Sequence, residues 1–304
     1  MHPTRIGRRV TAKILTVAAG SLALALGASV TANASQGAAG KAEAAQRTHS
    51  AVTAFTAAPP EDTWSFSIDG RDSAGDIWSY APKSGGGFQT RVKVGSGMGS
   101  ASALFKNDPA GDGTVYPYAL IGTQLRVYKS ATSGTGTLVG SGWDVYNTFV
   151  TPGNIGGSAS PDLLARDKSG VLWEYLSNTS GTFAARIKVG SGWGAYSQIA
   201  GRDDLTGDGK ADIVARDTTG TLWLYKGTGN SAAPFAARTK IGTGWNTYNK
   251  LIGLGDTNAD GHNDLIARDT KGVLWLYQGT GDPSAPYQGR VQIGTSWNSY
   301  NYLF

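Results

Sequence analysis

Three features of this 304-residue sequence predict an all-β fold, a five-bladed β-propeller whose blades are four-stranded antiparallel sheets. These features are an internal repeat, a composition suited to short strands, and two chain ends that complement each other. The chain contains 44 Gly, 9 Trp and 13 Tyr but only 16% charged residues, a mixture that favours strands and tight turns over helices. A chain of this length buries a substantial core.

The repeat is the first of these features. Three copies share the pattern Asp-x-x-Ala-Arg-Asp-x-x-Gly-x-Leu-Trp-x-Tyr and begin at Asp162, Asp212 and Asp264, which gives spacings of 50 and 52 residues. Weaker copies occur at 71–80 and 122–128. Asp-x-x-Gly between apolar runs predicts a hairpin turn, and apolar residues on both faces of the strands require neighbouring sheets on both sides. Five copies therefore fill residues 62–304.

The chain ends predict that the ring is closed by its last strand. In the last complete copy, strands are expected at 248–255, 262–269, 273–278 and 287–293. The C-terminal segment Tyr300–Phe304 matches the start of such a copy, whereas the first copy begins near Trp64 without that strand. The C-terminal strand is therefore expected to join the N-terminal blade and cover both sheet edges. A larger ring built from paired chains is the alternative to a monomer.

The N-terminal segment predicts secretion. Four basic residues precede an apolar run at 14–28 that is too short to span a bilayer, and Ala32-Asn33-Ala34 fits a signal peptidase site. Residues 1–34 are expected to be a signal peptide, exported by the general or the twin-arginine route. Residues 35–61, rich in Ala, Gly, Ser and Thr, are expected to be a disordered linker or a short pro-segment.

Charge and cysteine content exclude several classes of function. The formal net charge is +5, but the four cations of the signal peptide leave the rest near +1, with no basic tract. A nucleic-acid-binding protein or a membrane-spanning protein is therefore not expected. The sequence has no Cys, so its stability depends on packing, ring closure or bound metal rather than on disulfides.

Two acidic loops predict calcium sites. Oxygen-bearing side chains stand at positions 1, 3, 5 and 9 of each loop, with Gly at position 6 and a backbone carbonyl available at position 7, which suits a hard cation. The alternative is an Asp- and Gly-rich turn without an ion. The predicted calcium-site residues are Asp204, Thr206, Asp208, Lys210 and Asp212 in one loop, and Asp256, Asn258, Asp260, His262 and Asp264 in the other.

Individual positions in these loops differ in their expected strength. Thr206 is a weaker ligand than a carboxylate, and the imidazole of His262 is expected to face solvent, because position 7 contributes its carbonyl. The corresponding segments 108–113 and 154–158 have lost most of their acids, so no tight site is expected there.

The recurring loops resemble the FG-GAP/VCBS repeats of secreted propellers, which carry Asp-x-Asp-x-Asp-Gly-x-x-Asp between strands. The resemblance covers about four-fifths of the chain. It implies that the loop carboxylates and the amide bind calcium, which carries over to Asp204, Asp208, Asp212, Asp256, Asn258, Asp260 and Asp264. It also implies a binding module in which calcium is a structural cofactor.

Aromatic residues at the junctions between copies allow two interpretations. The repeated Gly/Ser-Trp-x-x-Tyr is expected to pack one blade on the next, or to stack on carbohydrate, as in the tachylectin-type lectins that it resembles. Met98 replaces the Trp at one junction. The candidate ligand-binding residues are Trp143, Trp193, Trp245, Tyr248, Trp297 and Tyr300. A second repeated set is expected to be structural, either by stacking on the blade Trp or by pairing with acids; it comprises Arg71, Arg166, Arg216 and Arg268.

The sequence predicts a binding protein rather than an enzyme. His262 is the one His within the repeats, Cys is absent, and neither a Gly-x-Ser-x-Gly nor a His-Glu-x-x-His motif is present. The expected function is a secreted, calcium-stabilised recognition module for an extracellular protein or glycan. The alternatives are a multivalent lectin with one site per blade and, from a resemblance to actinomycete-type secreted propellers, a modulator of a secreted protease.

Overall fold

The computed structural model describes residues 65–129, 134–158 and 160–304, and these form five antiparallel sheets of four strands each. The predicted five-bladed propeller is confirmed. The predicted signal peptide, the linker at 35–61 and Trp64 lie outside the described residues. Within the described ranges, no helix is long and apolar enough to cross a membrane.

The blades are numbered I to V along the chain. Blade I consists of β20 (Tyr302–Leu303), β1 (Ile68–Arg71), β2 (Ile77–Tyr80) and β3 (Val92–Gly95). Blade II consists of β4 (Ala101–Asn107), β5 (Tyr116–Ile121), β6 (Gln124–Val127) and β7 (Thr137–Ser141). Blade III consists of β8 (Tyr146–Gly153), β9 (Asp162–Asp167), β10 (Leu172–Tyr175) and β11 (Ile187–Gly190).

The last two blades repeat this order. Blade IV consists of β12 (Tyr196–Ala200), β13 (Ile213–Asp217), β14 (Leu222–Tyr225) and β15 (Thr239–Gly242). Blade V consists of β16 (Tyr248–Gly255), β17 (Asp264–Asp269), β18 (Leu274–Tyr277) and β19 (Val291–Gly294). A 3-10 turn precedes the first strand of each blade, at Met98–Ser100, Trp143–Val145, Trp193–Ala195, Trp245–Thr247 and Trp297–Ser299.

The predicted strands of blade V are confirmed, but three of them are shorter than expected. The first strand has the predicted bounds, whereas the second and third begin at Asp264 and Leu274. The fourth begins at Val291 rather than at Tyr287. Tyr287 instead forms an isolated bridge with Gly279, and its ring lies 6.3 Å from that of Tyr277, so the segment before β19 serves packing rather than the sheet.

Ring closure depends on β20, which pairs with β1. Leu303 faces Gly70 in this pairing, and the backbone groups of Asp69 and Phe304 exchange two hydrogen bonds of 2.8 and 3.0 Å. Gly70 is required there, because a Cβ at this position would lie 2.6 Å from Cγ of Tyr300. The two ends of the described chain therefore complete one sheet, and the ring closes without a second chain.

The core consists of five packed clusters, one at each contact between neighbouring blades, which we call the seams. In blade IV, Ile213 packs in the cluster shared with blade III, whereas Val214 packs in the cluster shared with blade V. Both side chains are fully buried. Apolar residues on both faces of each sheet are thus explained by a neighbour on either side.

Four arginines join successive blades. Arg216 of β13 donates from Nη1 to the carbonyl oxygens of Trp245 (2.9 Å) and Tyr248, which begin blade V. Arg71, Arg166 and Arg268 make the equivalent bonds, whereas β5 of blade II contains no Arg. The arginines thus have the expected structural role, but their guanidinium groups bind carbonyls at the ends of the 3-10 turns rather than the blade Trp or acids.

We expect Leu303→Ala to weaken the whole ring. Leu303 is 2% exposed in the seam between blades V and I, and removing a buried Leu side chain costs about 2–5 kcal/mol of unfolding free energy. Urea unfolding followed by tryptophan fluorescence measures this loss. Val291→Ala is the control, because Val291 is 49% exposed on an outer strand and its truncation changes stability by less than about 0.5 kcal/mol. Equal effects of the two substitutions would contradict a closure that depends on β20.

Candidate functional site in the acidic loops and blade seams

The acidic loop of blade V connects β16 to β17 and is held by its own side chains. The Asp256 carboxylate accepts from the backbone N–H groups of Asp260 (3.1 Å) and Gly261 (2.8 Å). Asn258 Nδ2 donates to Asp260 Oδ2 at 2.7 Å, and Asp260 Oδ1 accepts from the His262 N–H at 3.0 Å. The structure thus brings the predicted residues at positions 1, 3 and 5 together at one turn.

The acidic loop of blade IV connects β12 to β13 and has a similar turn with a different charge balance. Asp204 accepts from the N–H groups of Thr206, Gly207 and Gly209 at 2.6–2.9 Å. Asp208 Oδ2 lies 3.4 Å from Nζ of Lys226. Because this ammonium already balances one carboxylate, the loop of blade IV is the less favourable of the two for a second cation.

The position 9 aspartates have a different role from the other loop residues, because they face inward. Asp264 accepts from the Thr257 N–H and from the Gly279 N–H, both at 2.9 Å. Asp212 makes the equivalent bonds to Leu205 and Gly227 at 3.0 and 2.7 Å. These aspartates therefore fasten the start of each loop to the connection that follows the third strand.

Burial raises the pKa of the Asp212 carboxyl and of the Asp264 carboxyl to about 6. In both residues, backbone N–H donors and a Thr side chain partly offset this effect by favouring the charged form. A nearby cation would favour the charged form further. The ionisation of these two carboxyls would therefore respond to a cation bound in the loops.

The donor chemistry of the loops fits calcium, since carboxylate, amide and carbonyl oxygens are the ligands that this ion prefers. Lys210 and His262 expose their side chains, which agrees with a contribution from their carbonyls. In the described part of the chain, however, no three Asp, Glu, His or Cys side chains are grouped closely enough to hold a metal ion by themselves. The calcium sites therefore stay a prediction.

The predicted aromatic residues lie in the seams and are packed on several sides. Trp193 is 7% exposed, and its ring centroid lies 4.7 Å from that of Tyr225, 5.4 Å from that of Tyr196 and 6.1 Å from that of Phe235. The other predicted residues of this kind, Trp143, Trp245, Tyr248, Trp297 and Tyr300, are 3–8% exposed. Because other rings cover the indole faces, the geometry favours the packing interpretation for these tryptophans.

A second set of tryptophans carries exposed arginines that sequence analysis does not single out. In blade IV the guanidinium carbon of Arg238 lies 4.0 Å above the ring of Trp223, and Arg238 donates to the hydroxyl of Tyr196. The Tyr196 hydroxyl in turn contacts the hydroxyl of Tyr225. We call this set the Trp–Arg–Tyr network. The Trp223 Nε1–H also donates to the turn residue Asp217 at 2.8 Å, which fixes the indole.

The same network recurs in four of the five blades. Its arginines lie 4.0–4.1 Å above the third-strand Trp of each blade and are all exposed; they are Arg91, Arg186, Arg238 and Arg290. Blade II lacks it, because Arg126 replaces the third-strand Trp and Gly136 stands at the position of the exposed Arg. The signal was present in the sequence, since four copies carry Arg-x-Lys or Arg-x-Gln at this place.

An open groove lies beside the network at the seam between blades V and I. It has a volume of about 360 Å³. Its walls combine aromatic rings with hydrogen-bonding groups, namely Tyr80, Phe88, Gln89, Arg91, Ser296, Trp297, Ser299 and Tyr300. The groove therefore offers donors, acceptors and apolar edges to one small ligand.

We expect Asp264→Ala to destabilise the protein even in the presence of a chelator. Asp264 is 2% exposed, and truncation leaves the N–H groups of Thr257 and Gly279 buried without an acceptor, at a cost of about 2–6 kcal/mol. Thermal unfolding in EDTA tests this. Asp282→Ala is the control, since Asp282 is exposed and bonds only to Ser284 of its own turn. No difference between the two variants would show that position 9 has no structural role.

Comparisons with known proteins support the repeat and no more specific relationship. Residues 204–267, which contain both acidic loops, match the model of the FG-GAP-like repeat, and propellers with this repeat are typically binding or recognition modules rather than enzymes. A comparison with curated proteins finds no match.

Two solved structures are similar at low sequence identity. AofleA from Arthrobotrys oligospora is 11% identical with a TM-score of 0.40, over 75% of this chain and 66% of that one. BBS1N, solved in complex with ARL6DN, is 8% identical with a TM-score of 0.36, over 79% of this chain and 82% of that one. Neither likeness is close enough to carry an argument. The chain thus contains an FG-GAP-like repeat within a five-bladed β-propeller.

Proposed function

We propose that this propeller is a secreted, calcium-stabilised recognition module that binds an extracellular glycan through grooves at its seams. The observation that carries the proposal is the Trp–Arg–Tyr network, repeated in four blades with its guanidinium group exposed each time. Secretion rests on the pattern of residues 1–34. The completed ring is consistent with action as a monomer.

The chemistry of the network suits a polyhydroxylated ligand. A guanidinium group presents several N–H donors in a fixed plane, and stacking on the indole holds that plane in place. Arg91 also donates to the Tyr300 hydroxyl at 2.8 Å, which fixes the position of its guanidinium group. The other N–H donors of this group are therefore held in place before a ligand binds. Sugar hydroxyls or a sugar carboxylate fit such donors, and the apolar edge of a sugar ring fits the adjacent Phe88 and Trp297 edges of the groove.

The number of networks supports a multivalent lectin with four sites rather than one per blade. Blade II has Gly136 instead of the arginine, and its seam with blade I has Met98 instead of Trp. Weak sites in a fixed ring can act together on a polymer, which raises the overall affinity without any new contact. An extracellular protein target, including a secreted protease, is the competing form of this proposal.

Calcium in the acidic loops would act as a structural cofactor. In blade V the ion would be held by Asp256, Asn258, Asp260 and Asp264, with the carbonyl of His262. In blade IV the corresponding residues are Asp204, Thr206, Asp208 and Asp212, with the carbonyl of Lys210. Both loops join the first strand of a blade to its second, so a bound ion would restrain that connection.

We expect calcium to raise the melting temperature, because a ligand that binds only the folded state stabilises it. Asp208→Asn and Asp260→Asn together should remove this part of the response, since each removes a carboxylate from one loop. Differential scanning calorimetry in calcium and in EDTA measures it. Asp112→Asn, in the degraded loop of blade II, is the matched control and should respond like the unaltered protein. A calcium response unchanged by the double substitution would place the ion elsewhere.

We expect Arg238→Gln to remove one glycan site out of four. Losing a hydrogen bond from a charged donor costs about 1.5–3 kcal/mol, which is roughly a tenfold to hundredfold loss of affinity at that seam. A glycan array identifies the ligand, and titration calorimetry then gives the number of sites in the variant. Arg126→Gln in blade II is the control, because Arg126 bonds to Gln124 and to backbone carbonyls outside any network. Binding of a protein from culture supernatant, with no glycan bound, would favour the competing form.

A further inference from the structure

Glu174 departs from the repeat in a way that neither the acidic loops nor the seam networks explain. It lies on β10 of blade III, where the aligned residues of blades IV and V are Leu224 and Leu276. Its side chain is completely buried. A carboxylate at an apolar position of a seam carries a large desolvation cost unless something compensates its charge.

The protein supplies no such compensation from its own basic side chains. Glu174 Oε1 accepts one long hydrogen bond of 3.3 Å from the Ser231 hydroxyl, and Oε2 has no hydrogen-bond partner. In the described ranges, no Lys, Arg or His forms an ion pair with Glu174. Blade I shows the contrast, because its buried Asp69 lies 3.3 Å from Nζ of Lys106.

A second buried carboxylate makes the charge at Glu174 harder to accommodate. Asp162 is fully buried and lies close enough to repel Glu174, and burial together with this repulsion raises the pKa of the Glu174 carboxyl to about 7. Asp162 is itself well solvated by the protein, since it accepts from the N–H groups of Ile155 and Gly156, both at 2.9 Å. Within the described ranges, the carboxylate that lacks a compensating charge and a hydrogen-bond partner for Oε2 is therefore that of Glu174.

The space around Glu174 is lined by oxygen atoms from two blades. The Ser231 oxygen also lies 3.3 Å from the Gly156 carbonyl oxygen, so its one O–H is shared between this carbonyl and Glu174 Oε1, and the Ser158 hydroxyl lies 3.4 Å from Asp162 Oδ1. A Cβ added to Gly156 would lie 2.6 Å from Glu174 Oε1, so the Glu174 carboxylate points directly at this loop. Two carboxylates, two hydroxyls and one carbonyl thus converge where the loop of blade III meets Ser231 of blade IV.

A proton or a water molecule meets only part of this requirement. A proton would neutralise one of the two carboxylates, and a water molecule would supply one hydrogen bond to Oε2. Neither of them binds the oxygens of both blades and balances their charge at the same time. A cation satisfies both conditions, because it balances the charge and coordinates the free oxygen.

We propose that Glu174 and Asp162, together with the Ser231 hydroxyl and the Gly156 carbonyl, form a divalent-cation site of the calcium class at the seam between blades III and IV. The all-oxygen ligands select a hard cation, and two carboxylates match a divalent charge. Ligands that come from two strands and two loops of neighbouring blades suit the flexible coordination of Ca²⁺ better than the strict octahedron of Mg²⁺.

The site does not depend on the calcium loops of blades IV and V. The loop of blade III has lost the carboxylates that those loops carry, with Asn154, Gly156 and Ser158 at positions 1, 3 and 5. Glu174 restores one carboxylate from the adjacent strand. The ion would then join blade III to the β14–β15 connection of blade IV, and so would act across the seam rather than within one loop.

The test uses the full mature protein carrying Asp208→Asn and Asp260→Asn, which removes the contribution of the two acidic loops. This background should still melt about 5 °C or more higher at a hundredfold excess of calcium over Kd than in EDTA. Adding Glu174→Leu, the residue of the neighbouring blades, should abolish the rise and raise the melting temperature in EDTA. Terbium luminescence sensitised by the adjacent Trp173 should be lost in the same variant.

A second variant guards against a folding defect. Glu174→Gln keeps the size of the side chain and removes its charge, so it should also lose the calcium response while remaining folded by circular dichroism. The proposal is overturned if the background shows no calcium-dependent rise, or if the rise survives both Glu174 substitutions. A rise produced equally by sodium chloride at the same ionic strength would overturn the divalent assignment. If the acidic loops bind no calcium, the unaltered protein and the background will respond alike, and the site at Glu174 is still tested.

Discussion

The structure depends on the pairing of β20 with β1, because each blade carries apolar side chains on both faces of its sheet and both faces need a neighbour. Val214 and Ile213 show the constraint: they are neighbours in the chain, point to opposite faces of one sheet, and are both fully buried. A row of such sheets would leave an apolar face at each end and an unpaired edge. When the C-terminal strand joins the first blade, the unpaired edge is covered and the two exposed apolar faces pack against each other.

Polar contacts position each blade relative to the next, which apolar packing alone does not determine. Arg216 and its three equivalents reach from one blade to the carbonyl groups that begin the next, so four of the five 3-10 turns are held by the preceding sheet. The turn aspartates hold the third-strand tryptophans through Nε1, and those tryptophans carry the exposed arginines. The buried part of this network therefore orders the part that faces solvent.

Departures from the repeat are concentrated in two blades. Blade II lacks the seam Trp, the linking Arg and the exposed Arg. Blade III keeps all three but places Glu174 where an apolar residue packs in blades IV and V. Blade I resolves a similar buried acid with Lys106. The cation proposed at Glu174 would have the same role in blade III.

The sequence by itself determined the number of blades, the order of strands, the turn residues and the identity of the closing strand, because period, turn chemistry and complementary ends are local patterns. Only the tertiary structure decided which faces and partners the repeated side chains meet. The cross-strand register places Ala215 rather than Arg216 opposite Trp223, and so sends Arg216 to the next blade and leaves the indole to Arg238. These side-chain partners, and the absence of a basic partner for Glu174 among the described residues, depend on contacts between segments far apart in the chain. A register shift of one residue would move each side chain to the other face of the sheet.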